Sequence, residues 1–359
     1  MAARILVTGH LGYVGSVLVP VLHHAGFEVI GMDLDLFAGC DFGRTQEPVA
    51  TIRTSDIREV EVRDLVPFDA VIHLAALSDD TCADLHPRLA DDINHVATVR
   101  LAECCKKAGV RRFVFASTCS VYGHGGSKPV DETSPTKPLS VYAASKLRCE
   151  SELLKLADES FSPVILRGAT VYGVSPRMRL DLVVNDFAAS AMVNGQVLAR
   201  TCGSAWRPLV HVEDLAKVYL AMLTAPNEWV SSEIFNVIPH QENFRIRDIA
   251  ECVTERVPGS TYRMTPDFSD DRSYAVDGSK LARLALDLRM NWTLTKGIGQ
   301  LCYALDGGAM TPALWRGDRY RRAARLQKQI ESGALGLDLR RFDRRPARVR
   351  RLQPISVPC

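Results

Sequence analysis

Five residues, Arg4-Ile5-Leu6-Val7-Thr8, run straight into Gly9-His10-Leu11-Gly12-Tyr13-Val14-Gly15. A helical pattern follows to His24, with Val14, Val17, Leu18, Val21 and Leu22 on one face. Strand, glycine turn and helix in that order constrain this chain more than any other feature. Glycine lets the turn tighten and brings backbone N–H groups close to a pyrophosphate, while the helix N-terminus adds positive potential. The spacing is Gly-x-x-Gly-x-x-Gly, one residue longer than the standard dinucleotide fingerprint. A second run, Glu28 to Asp33, ends in an acid 18 residues after Gly15. A carboxylate there accepts hydrogen bonds from the adenosine ribose and repels a 2′-phosphate, so NAD is expected over NADP. The plainer reading of Asp33 is a turn residue closing a strand.

Further apolar runs follow at Ala70–Leu74, Arg112–Ala116 and Pro163–Leu166, with helical patterns between them, notably Ile93 to Ala108. Apolar strands alternating with helices mean a parallel sheet covered on both faces, with right-handed crossovers. After Gly173 the pattern changes to helices near 180–194, 212–224 and 245–256 with short strands between. The expected fold is α/β: a Rossmann-like doubly wound parallel sheet over 1–173 and a smaller mixed α/β substrate-binding lobe over 174–314, some of whose segments return to the first domain.

The 359 residues contain 44 Lys and Arg against 42 Asp and Glu, but the charge is uneven. From Trp315 onward there are thirteen basic and four acidic residues, leaving 31 basic and 38 acidic for 1–314. An acidic body is not a nucleic-acid binder by charge. Residues 315–359 are expected as a partly disordered basic tail, irregular beyond Gly336. The ten cysteines are scattered without a Cys-x-x-Cys pair, which fits reduced apolar thiols and no metal site. There is no apolar run of 18 residues, and the start lacks a signal-peptide pattern, so a cytoplasmic protein is expected.

Tyr142-Ala143-Ala144-Ser145-Lys146 opens a helical pattern, and the i, i+4 spacing puts Tyr142 and Lys146 on one face. A free phenol titrates near pH 10, too high for a base at neutral pH. A nearby ammonium and a cationic nicotinamide both favour the phenolate. Tyr142 could then take a proton from an alcohol as hydride leaves. Upstream, Ser117, Thr118 and Ser120 close the buried run Arg112–Ala116, where strand ends line the ligand crevice of a parallel sheet.

Together these residues resemble the extended short-chain dehydrogenase/reductase family, in its nucleotide-sugar epimerase/dehydratase branch, over residues 4 to about 305. The resemblance implies cofactor contacts from Gly9, Leu11, Gly12, Tyr13, Val14, Gly15 and Asp33. It adds the pair Asp56-Ile57, the segment Leu74, Ala75 and Ala76 after His73, and Asn94 supporting the site. It gives Thr118, Tyr142 and Lys146 as the catalytic set, with Lys146 also on the nicotinamide ribose. On the substrate side it implies Thr118, Thr170, Asn185, Arg207 and Arg272, the two arginines gripping a nucleotide diphosphate bidentately. His211 is expected to be structural. A homodimer built on helices near 88–108 and 141–157 is the family default.

The resemblance also orders the reactions. Dehydratases of this branch carry Asp-Glu directly after the catalytic threonine, and decarboxylases rely on a glutamate there. This chain has Cys119 and Ser120. The first expectation is a nucleotide-sugar 4-epimerase working through a transient 4-keto sugar. The alternative is a net oxidoreductase, either a 4-dehydrogenase or a keto-reductase. A non-catalytic cofactor sensor or nucleic-acid binder is the reading from another class, and the intact Thr, Tyr and Lys argue against it. Two departures stand out: Leu77-Ser78-Asp79-Asp80, where many 4-epimerases carry a lysine, and the charged loop Ser175–Asp181. In that loop Arg177 and Arg179 are either ligands for an acidic sugar or surface charges.

Overall fold

The computed structural model describes residues 2–43, 51–78, 80–126, 128–240, 242–265, 272–284, 286 and 288–341. Asp79 and Asp271, and the tail beyond Arg341, therefore lie outside the described residues. The main sheet has seven strands, all parallel: β1 Arg4–Thr8, β2 Glu28–Asp33, β3 Thr51–Thr54, β4 Ala70–His73, β5 Arg112–Thr118, β6 Ser162–Gly168 and a late return, β10 Ile234–Val237. Their order is β10-β6-β5-β4-β1-β2-β3. The chain leaves β1 for β2 on one side and later crosses to β4 on the other. The crevice at the carboxyl ends of β1 and β4 is thus the switch point where such sheets bind ligands.

Alternation along the strands builds two cores. Ile5, Val7, Ile72, Val114, Val164 and Leu166 face one side, under the helices Gly15–His24 and Val212–Thr224. Leu6, Val71, Phe113, Phe115 and Ile165 face the other, under Ala97–Ala108 and Val141–Leu156. A strand buried on both faces reads as a continuous apolar run, as these do. Asn94 sits in a π turn, Asp92–Val96, at the head of the first of the latter helices.

The smaller lobe holds β7 Thr170–Tyr172, β9 Trp206–His211 and β11 Asn243–Arg245 in one sheet, and β8 Gln196–Ala199 with β12 Thr261–Met264 in another. The helices Val183–Asn194, Ile246–Arg256 and Leu294–Leu305 cover its core. The first of these, expected from about 180, starts at Val183 because Leu182 is extended (φ −99°, ψ 130°).

The C-terminal segment, expected as a partly disordered basic tail, is folded against the body as far as Arg341. Pro312–Arg316 and Arg322–Glu331 are helices, and Leu326, Leu335 and Leu339 are buried in the same core as Phe113 and Phe115. Charge had masked an apolar stripe: Ala323, Leu326 and Ile330 share one face of the second helix at i, i+3, i+7 spacing. Among the described residues no helix is long and apolar enough to cross a membrane.

One buried ion pair ties the sheet to the Tyr142 helix. Glu150 receives Nε and Nη2 of Arg167, the shortest contact being 2.7 Å, and both side chains are nearly inaccessible. Ser117 donates to the same carboxylate. Arg167 Nη1 donates to the Tyr122 hydroxyl at 2.9 Å, which donates to Asn236 at 2.7 Å. Removing one member of a buried pair leaves the other charge uncompensated. Arg167→Met should therefore lower stability by about 3–5 kcal/mol in denaturant unfolding. An unchanged midpoint would show that Glu150 finds another partner.

Candidate active site

The glycine turn leaves β1 with Gly9 at φ +71°, a left-handed conformation that glycine adopts freely. A Cβ there would lie 2.7 Å from Ala75 N, and one on Gly15 would lie 2.4 Å from Gly9 O. The turn is packed backbone against backbone, onto the segment that follows β4. A Cβ on Gly12 would meet only Gly9 O, at 3.0 Å, with open space beyond. That is the cradle a pyrophosphate needs at the head of the helix Gly15–His24.

This cradle opens into one cavity of about 890 Å³, near the upper end of the ~300–1,000 Å³ usual for ligand sites. Gly9, Leu11, Gly12, Tyr13, Val14 and Gly15 line it, as do Asp33, Asp56, Ile57, Leu74, Ala75 and Ala76. Asp33 accepts Leu11 N–H at 3.0 Å and Asp35 N–H at 2.8 Å, which fixes its carboxylate at the end of β2. Burial is the main influence on Asp33 and raises its pKa. Ribose hydroxyl donors would offset that cost, so the residue fits an adenosine ribose. Asp56 is clamped by Arg58 at 2.6 Å and caps the turn Ile57–Glu59.

Thr118, Tyr142 and Lys146 line the same cavity, as do Thr170, Arg207 and Arg272. Ser140 caps the helix Val141–Leu156 by accepting Ala143 N–H at 3.2 Å, which sets Tyr142 in its first turn. Lys146 Nζ lies 5.9 Å from the centre of the Tyr142 ring and 4.6 Å from that of Phe115. Only 1% of Lys146 is exposed, and burial pushes its amine down to about 8. Beneath it His73 bridges Thr8 (2.6 Å) and Thr98 (2.8 Å). Burial, then the charge of Lys146, pushes this imidazole down to about 3, so it stays neutral. Thr118 Oγ1 shares a 2.6 Å hydrogen bond with Ser120 Oγ, and both residues line the cavity. Cys119 turns away, its thiol donating to Arg167 O at 3.1 Å in the core.

Two expected ligands do not reach the cavity. Asn185 is fully buried: its Oδ1 accepts Gly173 N–H at 2.9 Å, and its Nδ2 donates to the Tyr13 hydroxyl (3.1 Å) and to Arg179 O (3.0 Å). Both ends of its amide hold the lobe against the glycine turn, so it supports the wall instead of presenting a polar group. Its neighbour Asp186 lines the cavity in its place, bound to Trp315 Nε1 at 3.0 Å and Arg321 at 2.6 Å. Asn94 acts one step removed, its amide closing on both Leu77 N (2.8 Å) and Leu77 O (3.1 Å). It thereby anchors the strand end that carries Leu74 to Ala76.

Arg177 and Arg179 are not surface charges, each being more than nine-tenths buried. Arg177 pairs with Asp35 and Asp41, and Arg179 with Asp181 at 2.8 Å and Ser78 at 3.2 Å. Only Arg179 lines the cavity. His211 is buried, stacked 4.0 Å from Trp292 and bonded to Gln300, far from a base's role. Sequence reasoning missed four wall residues from the C-terminal segment: Trp315, Arg321, Arg322 and Leu339. The apolar stripe of the helix Arg322–Glu331, which docks this segment, was the available signal.

The NAD dependent epimerase/dehydratase family model matches residues 5–237. The UDP-glucose 4-epimerase of Streptomyces lividans is 32% identical over 283 residues, 72% of this chain and 82% of that one. Among solved structures, the UDP-glucose 4-epimerase of Thermus thermophilus in complex with NAD is similar at a TM-score of 0.69 and 26% identity, covering 83% of this chain and 98% of that one. TunA, an NAD dependent NDP-hexosamine 5,6-dehydratase involved in tunicamycin biosynthesis, reaches 0.75 at 25% identity, covering 84% and 97%. These neighbours are matched almost end to end, yet leave about a sixth of this chain uncovered. The chain belongs to the NAD dependent epimerase/dehydratase family, within the extended short-chain dehydrogenases/reductases, and its cofactor is NAD.

Proposed function

We propose that this protein is a nucleotide-sugar 4-epimerase. The observation that carries the reading is the pair of residues after Thr118. Where the dehydratases of the branch hold an acid and a base, this site has a thiol turned into the core and a hydroxyl bonded to Thr118. The relatives named UDP-glucose 4-epimerase support the same choice.

NAD, held by the glycine turn, Asp33 and Lys146, would supply reversible hydride acceptance. The protein's own work is proton transfer and positioning. Tyr142 takes the C4 hydroxyl proton, helped by the ammonium of Lys146 beside its ring. Thr118, its own hydrogen bond set by Ser120, orients the reacting oxygen. Arg207 and Arg272 converge from separate segments, Arg207 Nη1 donating to the Arg272 carbonyl. Together they suit a diphosphate held fixed while the keto sugar turns over between the two hydride transfers. Tyr142 then gives the proton back to the same oxygen, so the sugar would leave with no net redox change.

Incubation with UDP-glucose, and with other nucleotide hexoses in a panel, should yield the C4 epimer by NMR without added cofactor. Tyr142→Phe should lower kcat by about 10²–10⁴-fold with little change in KM. Accumulation of a 4-keto-6-deoxy sugar, or of one NADH per product, would overturn the epimerase reading.

The Lys146 amine sets a pH dependence. Its ammonium draws the phenol proton away and is lost above about pH 8. An alkaline limb in kcat/KM near pH 8 should therefore appear and vanish in Lys146→Met. Stability moves the other way. An exposed lysine titrates near pH ~10.4, so between pH 8 and that value the unfolded chain holds the proton that the folded one has released. The contribution of Lys146 to stability rises across that window, and the difference in unfolding free energy between wild type and Lys146→Met should change with it.

A further inference from the structure

The adenosine end of the cavity is closed by the C-terminal segment. The loop after Asp33 is gripped through its backbone carbonyls. Arg341 donates to Asp35 O at 2.8 Å, Gln329 to Leu36 O at 2.8 Å, and Arg319 to Asp41 O at 2.9 Å. On the opposite wall, Arg58 beside Asp56 donates to Asp338 O at 3.0 Å. The segment thus runs from the Asp33 side to the Asp56 side of one pocket, held down by Leu326, Leu335 and Leu339.

Within it, Arg322 is unusual. It lines the cavity, is 5% exposed, and lies 3.9 Å over the Phe37 ring. Nη2 donates to Arg177 O at 3.2 Å, but Nη1 is buried with no hydrogen-bond partner among the described residues. No carboxylate lies within 4.0 Å of this guanidinium among the described residues. Burial, then the neighbouring Arg179 charge, pushes it down to about 10, outweighing the opposing influence of Asp181. A buried cation without a directly bonded anion is costly. The residue lines the same cavity as the glycine cradle, and a phosphate oxygen is the anion that a dinucleotide brings there.

We propose that Arg322 binds a phosphate oxygen of the dinucleotide, making the C-terminal segment part of the cofactor site and a strap that slows cofactor release. The proposal rests on the family's NAD requirement and not on which reaction follows, so binding alone tests it. A resident cofactor suits an enzyme that returns its hydride, because no exchange is needed between turnovers.

The test compares wild type, Arg322→Met and Lys328→Met, the last an exposed residue on the same helix paired with Asp318. Nucleotide-free protein is titrated with ADP, adenosine, 2′,5′-ADP and UDP by calorimetry, and NAD retained after gel filtration is measured on denaturation. The expected result is at least a tenfold weaker affinity of Arg322→Met for ADP, adenosine changed less than twofold, and faster loss of NAD. Lys328→Met should match wild type throughout. A weakened 2′,5′-ADP with unchanged ADP would place the contact on a 2′-phosphate, overturning the pyrophosphate assignment. A loss confined to UDP would assign the arginine to the sugar nucleotide and overturn the proposal. Equal losses for ADP and adenosine, or no loss, would overturn it too. Thermal unfolding separates folding failure from lost binding: without ligand, Arg322→Met should melt no lower than wild type, and its upward shift with NAD should shrink.

Discussion

The Glu150–Arg167 pair is the joint on which the reacting end of the molecule hangs. Glu150 lies one turn beyond Lys146 on the Tyr142 helix, and Arg167 precedes Gly168 and Thr170 at the end of β6. Ser117, beside Thr118, completes the carboxylate's bonds, and Tyr122 carries the network to Asn236 on β10. Three strands and one helix are thereby fixed at their functional ends. A charge at such depth is costly unless it is paired and hydrogen-bonded, and that demand sets the geometry here. Glu150 also opposes the effect of burial on Lys146, favouring the ammonium that Tyr142 requires.

The second constraint is backbone contact at the glycine turn. Gly9 against Ala75 and Gly15 against Gly9 leave no room for side chains, so the crevice between β1 and β4 stays shallow and lined by peptide groups. Asn94 fixes the far side through Leu77, and Asn185 fixes the lobe through Tyr13 and Gly173. Neither asparagine has to touch a ligand to matter. Each commits a whole amide to holding a wall in place.

Features written in local spacing were legible in the sequence. The glycine turn, Asp33 at a strand end and the Tyr142–Lys146 pair need only neighbours in the chain to declare themselves. The direction of a side chain in a packed lobe is not local, and Asn185 turned inward because Tyr13 OH and Gly173 N–H claimed its amide. β3, Thr51–Thr54, is short, with Ile52 its one apolar residue, and escaped the apolar-run criterion. The C-terminal segment was read by net charge, which counts arginines without asking where they point. At least ten of its bonds run to backbone carbonyls or acids of the body, and its three buried leucines do the docking.

The two ends of the cavity obey different electrostatic logic. At the sugar end Arg272 pairs with Asp80, and both are partly exposed. A diphosphate binding there, as proposed, would exchange one anion for another, so the arginine would be paired before and after and the exchange would be shallow in free energy. At the adenosine end Arg322 is buried, stacked on Phe37 and without a carboxylate of its own. Asp181 acts on its charge without forming an ion pair with the guanidinium, so an incoming anion would gain a direct contact with no ion pair to break first. On the proposed reading, a weakly biased gate at one end and a clamp at the other would let the sugar nucleotide turn over while the dinucleotide stays.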